Sequence, residues 1–257
     1  MFVSDSNNRI LIFDVTSITN GEDAINVLGQ SDFTSNTSAT TQSGLSGPQS
    51  LTYDSTNQIL FISDQDNNRV MVFDVTSITN GEDAINVLGQ SDFTSNTSAT
   101  TQSGLSGPQS LTYDSTNQIL FISDQDNNRV MVFDVTSITN GEDAINVLGK
   151  SDYISNAQET TQNRLNYPQG LTYDSANQRL FVADAMNNRV IVFDVTSITN
   201  GEDAINVLGK SDYISNAQET TQNRLNYPQG LTYDSANQRL FVADAMNNRV
   251  IVFDVTS

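Results

Sequence analysis

The segment Phe-Asp-Val-Thr-Ser begins at residues 13, 73, 133, 193 and 253, so the chain repeats itself every 60 residues without drift. Repetition at a fixed period restricts a fold severely, because one local solution must satisfy every unit and stack on copies of itself. Residues 30–89 are identical to 90–149, and 150–197 are identical to 210–257. Two variants of one unit are each used twice, here called the Gln type and the Lys type after Gln90 and Lys150. Identity of this degree points to recent duplication or deliberate construction. The units run 30–89, 90–149, 150–209 and, in part, 210–257, with 1–29 an incomplete first unit. The whole of 1–257 is expected to form one domain.

Within a unit, four short runs rich in β-branched and aromatic residues are separated by Asn, Asp, Gly and Ser, the signature of strands and turns. In the first Gln-type copy strand a lies near Ser50–Tyr53, b at Ile59–Ile62, c at Val70–Phe73 and d at Ala84–Leu88. No run has the spacing of three and four that a helix needs. Strands b and c are almost continuously apolar, which predicts burial on both faces. About ten large apolar side chains per unit, at roughly 1.5 to 3 kcal/mol each, do not offset about 1 to 2 kcal/mol of backbone entropy for each residue. No unit folds alone. Four-stranded antiparallel sheets covered on both sides by copies of themselves are the blades of a β-propeller.

Val87-Leu88-Gly89-Gln90-Ser91-Asp92-Phe93, Pro48–Asp54 and Leu60–Asp64 leading to Asn67-Asn68-Arg69-Val70 resemble the NHL repeat of bacterial propeller proteins. The resemblance spans nearly the whole chain. It implies an all-β propeller, and that Arg69, Arg129, Arg189 and Arg249 are structural, each pairing with the Asp before its turn. NHL-like propellers include protein-binding and RNA-binding modules and a few lyases, and bacterial members are often exported, so the resemblance implies an extracellular or cell-surface setting. Fold alone does not choose among these functions.

The strand census is four a, five b, five c and four d: four blades plus a spare N-terminal b–c hairpin, filling about five blade positions. Either the first position lacks its inner strand and the last its outer one, or the first d strand closes the last blade. Exposed edges invite pairing, so a ring or filament of several copies is a further expectation. The b–c turn and the long d–a connection, Gln90–Gly107, emerge at one end of each blade, and long loops carry function. The candidate partner-binding residues are therefore Asp64, Asp66, Asn67, Asp92, Lys150, Asp152, Tyr153, Arg164, Tyr167, Asn187, Lys210, Tyr213, Arg224 and Tyr227.

Asp64–Asn68 resembles the start of a calcium loop, but Arg69 stands where glycine is needed, Val75 where a bidentate Glu is needed, and Met186 replaces Asp66 in the Lys type. A side-chain-capped turn fits better. Asp74 and Asp194 read as solvated strand ends rather than a carboxylate ring, and Tyr53, Tyr113, Tyr173 and Tyr233 recur on the inner strand, where they either pack between blades, the favoured reading, or line the channel. Asn36-Thr37-Ser38 is a chance match to a glycosylation acceptor, and Gly89–Phe93 contains no phosphate cradle.

The chain has no cysteine and no histidine, which removes disulfides, thiolate ligands and the commonest general base. Thirty acidic against eleven basic residues leave a net charge of −19, unfavourable for binding a phosphate backbone. No apolar run is long enough for a membrane helix, and the first residues carry no secretion signal. The sequence thus predicts a soluble, non-catalytic scaffold without cofactor or metal, presenting repeated loops to a protein or glycan partner, with self-assembly into a homo-oligomer as the alternative and a lyase as a remote one.

Overall fold

The structure, a computed structural model, describes residues 1–256, and the described residues contain eighteen strands in five antiparallel sheets. β1 (Phe2–Asp5), β2 (Arg9–Ile12) and β3 (Asn26–Leu28) form the first sheet. β4 (Pro48–Asp54), β5 (Ile59–Asp64), β6 (Arg69–Asp74) and β7 (Asn86–Leu88) form the second. The third contains β8 (Pro108–Asp114), β9 (Ile119–Asp124), β10 (Arg129–Asp134) and β11 (Asn146–Leu148). The fourth contains β12 (Pro168–Asp174), β13 (Arg179–Asp184), β14 (Arg189–Asp194) and β15 (Asn206–Leu208). β16 (Pro228–Asp234), β17 (Arg239–Asp244) and β18 (Arg249–Asp254) complete the set. Strands pair in sequence order, so every connection is local. Of the two ways to distribute the strands, the fold adopts the one in which β3 stays with β1 and β2, leaving the first sheet without strand a and the last without strand d.

The chain divides into two compact units. Unit 1 comprises 1–99, 103–108 and 137–143, and holds the first two sheets; unit 2 comprises 100–102, 109–136 and 144 onward, and holds the other three. In unit 1, Ile10, Leu28, Leu60, Met71 and Phe73 share one apolar cluster. In unit 2, Phe121, Val132, Leu180, Ile191 and Phe193 form a second, and Phe181, Val192, Leu225, Leu240 and Val242 a third. In β5, β6, β9, β10, β13 and β14 the alternation of buried and exposed positions is lost, as continuously apolar strands require. In β18 alternation returns.

Each turn follows from its residues. The Asp54 carboxylate accepts from the Thr56 amide at 2.9 Å and from Asn57 Nδ2 at 2.7 Å, closing the a–b turn. The b–c segment contains a single 3-10 turn, Gln65–Asn67, ended by Asn68 at φ 53°, left-handed backbone that asparagine tolerates well. Strand d begins at Asn86, later than its apolar run suggests, because the Ala84 amide donates to Gln42 O at 2.9 Å instead of joining the sheet. Gly89, at φ +89°, ends that strand; a Cβ there would be strained by the backbone and would stand 2.7 Å from Leu105 Cδ1, forcing that side chain to shift.

Candidate functional site

At the b–c end of every complete blade a buried Arg–Asp pair organises the surrounding loops. Arg69, Arg129 and Arg189 are fully buried, with Nε 2.6 Å from Asp64, Asp124 and Asp184 respectively. Arg189 Nη1 also donates to Tyr213 O at 2.5 Å, and Nη2 to Thr161 O and Arg164 O at 2.8 and 2.9 Å. One guanidinium thus fastens the loop before its blade and the loop after it. Burial pushes the Asp64 and Asp184 carboxyls up from their ordinary value, against the pull of the guanidinium and of the amides that donate to them. Arg249 makes the same pair with Asp244 at 2.7 Å but is 28% exposed.

The fold buries several residues that the sequence reading assigned to a partner surface. Asp64 is consumed by Arg69. Asn67 bridges Thr40 Oγ1, Ala39 O and Asp64, and Asn187 bridges Thr160 Oγ1, Glu159 O and Asp184. Lys150 and Lys210 are also buried, because the d–a loop folds back and each ammonium donates to a carbonyl seven residues on, Ala157 O and Ala217 O. Burial, with the Arg164 guanidinium nearby, lowers Lys150 from 10.5 to about 8, and Lys210 moves the same way. In the Gln type, Gln90 fills this place and donates to Asn68 O and Thr97 O, both at 2.9 Å.

The other candidates stand at or near the surface. Asp66 is exposed on the 3-10 turn. Asp92 and Asp152 cap their loops, Asp92 Oδ1 accepting from the Thr94 and Ser95 amides at 2.8 and 2.9 Å. The Thr94 hydroxyl, with the Thr94 amide and Ser95, holds the Asp92 carboxyl below the ordinary range, and Ser155 with the Ile154 amide does the same for Asp152. Tyr153 and Tyr213 lend backbone carbonyls to Arg129 and Arg189. Arg164 and Arg224 reach Glu159 and Glu219 at 3.6 and 3.5 Å. Tyr167 and Tyr227 are partly buried at φ 59° and 54°, where the Gln-type units have Gly47 and Gly107.

Comparing the two unit types isolates what varies on a fixed scaffold. They differ at 18 of 60 positions, and 12 of these lie in the d–a connection or the b–c turn, none in the c–d turn or strand d. Thr94 becomes Ile154 and Asp126 becomes Met186. In unit 2, Ile154 and Ile214 are 76% and 75% exposed, and Met186 and Met246 are exposed as well. The signal was present in the sequence, but an isolated Ile or Met in a loop does not reveal whether it points inward. On the inner strands, Tyr173 Oη donates to Asp114 at 3.0 Å and its ring lies 5.9 Å from that of Phe121, so it packs between two blades of unit 2. A cleft of about 390 Å³ at the opposite end, lined by Asp114, Ile145, Gln178 and Thr196, gathers no second titratable group. Among the described residues no group of three His, Cys, Asp or Glu is placed to hold a metal, and no helix is long and apolar enough to cross a membrane.

Comparison with known proteins agrees with this architecture. The NHL repeat family matches residues 165–193 and 225–253, the segment from the start of strand a to the end of strand c. NHL repeat-containing protein 2 of Bos taurus is 32% identical over 97 residues, and that of Homo sapiens 30% over the same length. Each match covers 36% of this chain and 12% of the relative, so the chain corresponds to a small part of those proteins. A chain in the crystal structure of a nidogen/laminin complex superposes with a TM-score of 0.61 and 15% identity, over 98% of this chain and 73% of that one. Residues 165–193 and 225–253 of this chain match the NHL repeat, and the sheets to which they belong are folded as the blades of a β-propeller.

Proposed function

We propose that the chain is a non-catalytic binding scaffold that presents the d–a loops and b–c turns of its Lys-type blades to a protein or glycan partner. The reading rests on one observation: Ile154, Ile214, Met186 and Met246 are exposed where the Gln type has Thr and Asp. Exposed apolar side chains concentrated at one end of a rigid sheet mark an interaction surface. Tyr167 and Tyr227 add to it, since an aromatic residue at positive φ carries a backbone cost that glycine avoids. Repetition on two units suits a repetitive ligand, because linked sites gain avidity.

The test is an array of peptides and glycans probed with the wild-type chain and with a variant in which Ile154 and Ile214 become Thr and Met186 and Met246 become Asp. These are the Gln-type residues, so the fold is retained. Loss of capture by the variant supports the reading; equal capture, or silence on both arrays, overturns it.

A second reading, assembly through open sheets, draws on the last blade. Val250 and Val252 are 63% and 48% exposed, whereas Val190 and Val192 at the same places in β14 are buried. A further blade, from a longer chain or a second copy, would cover that face. Light scattering of the chain across a concentration series tests the second-copy arm, and an invariant monomer mass excludes it.

A further inference from the structure

Changing the Gln type to the Lys type brings two cations into one loop. Gln90 becomes Lys150 and Gly104 becomes Arg164, while Ala99 becomes Glu159. Lys150 is only 1% exposed, and one of its three N–H donors is used, on Ala157 O. The Arg164 guanidinium lies against the next residue, with Nη2 3.4 Å from Ser151 Oγ. Arg164 Nη1 is buried and has no hydrogen-bonding partner. A buried guanidinium nitrogen left without an acceptor is costly to enclose.

The nearby acids do not resolve this. Glu159 meets Arg164 Nε at 3.6 Å from a half-exposed position, and Asp184 is held by Arg189 at 2.6 Å. Arg129, also close to Lys150, is occupied by Asp124 at 2.6 Å and by the carbonyls of Tyr153 and Thr101. What remains are spare donors on two neighbouring cations, with the Arg164 side chain 22% exposed to solvent. Charge-assisted N–H donors of a neighbouring ammonium and guanidinium suit a tetrahedral oxyanion.

We propose that each Lys-type loop binds a small oxyanion, of the phosphate or sulfate class, between the Lys150 ammonium and Arg164 Nη1, with Lys210 and Arg224 forming the second site. The Gln type lacks both cations and has no such site. Such a site would bind its anion with or without a macromolecular partner. An oxyanion there also explains why a lysine enters a place that a neutral amide fills with two hydrogen bonds in the other units.

The test is calorimetric titration of inorganic phosphate, and separately sulfate, into the full chain in chloride buffer at pH 7. Two sites per chain are expected. Lys150→Gln with Lys210→Gln, and Arg164→Gly with Arg224→Gly, restore residues that the Gln-type units already accommodate, and each pair weakens binding by about tenfold or more. Lysine-selective NMR gives a readout that a merely structural role would not move: bound phosphate raises the titration midpoint of the Lys150 ammonium. Absence of heat and of any midpoint shift overturns the proposal. Binding that is equal in wild type and both variant pairs overturns it too, as an adventitious ion only.

Discussion

Replacing Arg189 with leucine removes the most connected side chain of the fourth blade. The substitution strands Asp184 in a fully buried place, and an orphaned buried carboxylate costs about 3 to 5 kcal/mol. It also frees the carbonyls of Thr161, Arg164 and Tyr213, some of which water can reach, adding about 1 kcal/mol in net terms. The expected loss is therefore about 4 to 6 kcal/mol, a large share of the stability of an ordinary domain. Urea denaturation followed by circular dichroism reads it as a lower midpoint. Adding Asp184→Asn neutralises the stranded charge while keeping an acceptor for the Asn166 amide, and recovers about 2 kcal/mol. Arg249→Leu is the internal control: Arg249 is 28% exposed there, so its removal opens the otherwise buried Asp244 to water and the cost falls to about 1 to 2 kcal/mol. A loss below about 1 kcal/mol for Arg189→Leu, or a double variant no more stable than the single one, refutes the reasoning.

Gly170→Ala drives a methyl into Gln229 O on the neighbouring inner strand, and backbone cannot yield as a side chain would. A loss of about 2 kcal/mol or more is expected by thermal denaturation, whereas Gly230→Ala, whose nearest neighbour would be Ala243 Cβ at 3.8 Å, costs under about 1 kcal/mol. Stability also rises with pH between about 8 and 10, because the unfolded chain still holds a proton on Lys150 that the folded chain has released. Lowering that group from 10.5 to about 8 corresponds to about 3 kcal/mol, trimmed by solvent screening to about 1 to 2. The Lys150→Gln, Lys210→Gln pair flattens this rise in urea titrations run in oxyanion-free buffer. A slope unchanged by the pair argues against the buried ammonium as its source.

The number and order of strands were legible because β-branched runs, Asn- and Asp-rich turns and the period of 60 all point to one answer. The long d–a loop was legible only as a length. A lysine after a glycine in a polar loop reads as exposed, and nothing in Gly149-Lys150-Ser151 reveals that residues 157–164 fold back over it. Asp64 and Asn67 were misplaced for a related reason. Polar residues in a turn suggest solvent, yet here they face Arg69 and the preceding loop and become its interior partners. Gly170 carries no local signal, because its neighbour is a strand 60 residues away. Contacts that depend on how one blade meets the next have no local signature.

The left-handed asparagine that ends each 3-10 turn has a wider consequence. Asn68 Nδ2 donates to Asn96 O and its Oδ1 accepts from the Gly107 amide, both at 2.9 Å; Asn128 does the same with Asn156 O and the Tyr167 amide, and Asn188 with Asn216 O and the Tyr227 amide. Every loop is gripped by its main chain, so the clasp is indifferent to which side chains the loop carries. The Asn80, Asn140 and Asn200 side chains likewise hold the Val27, Val87 and Val147 amides, in a part of the unit where the two types do not differ. Such joints are a common gauge. Gln-type and Lys-type units can be shuffled, added or removed in whole multiples of 60 residues with each clasp remade, so the array is free to alter its number and its surface without renegotiating how one blade holds the next.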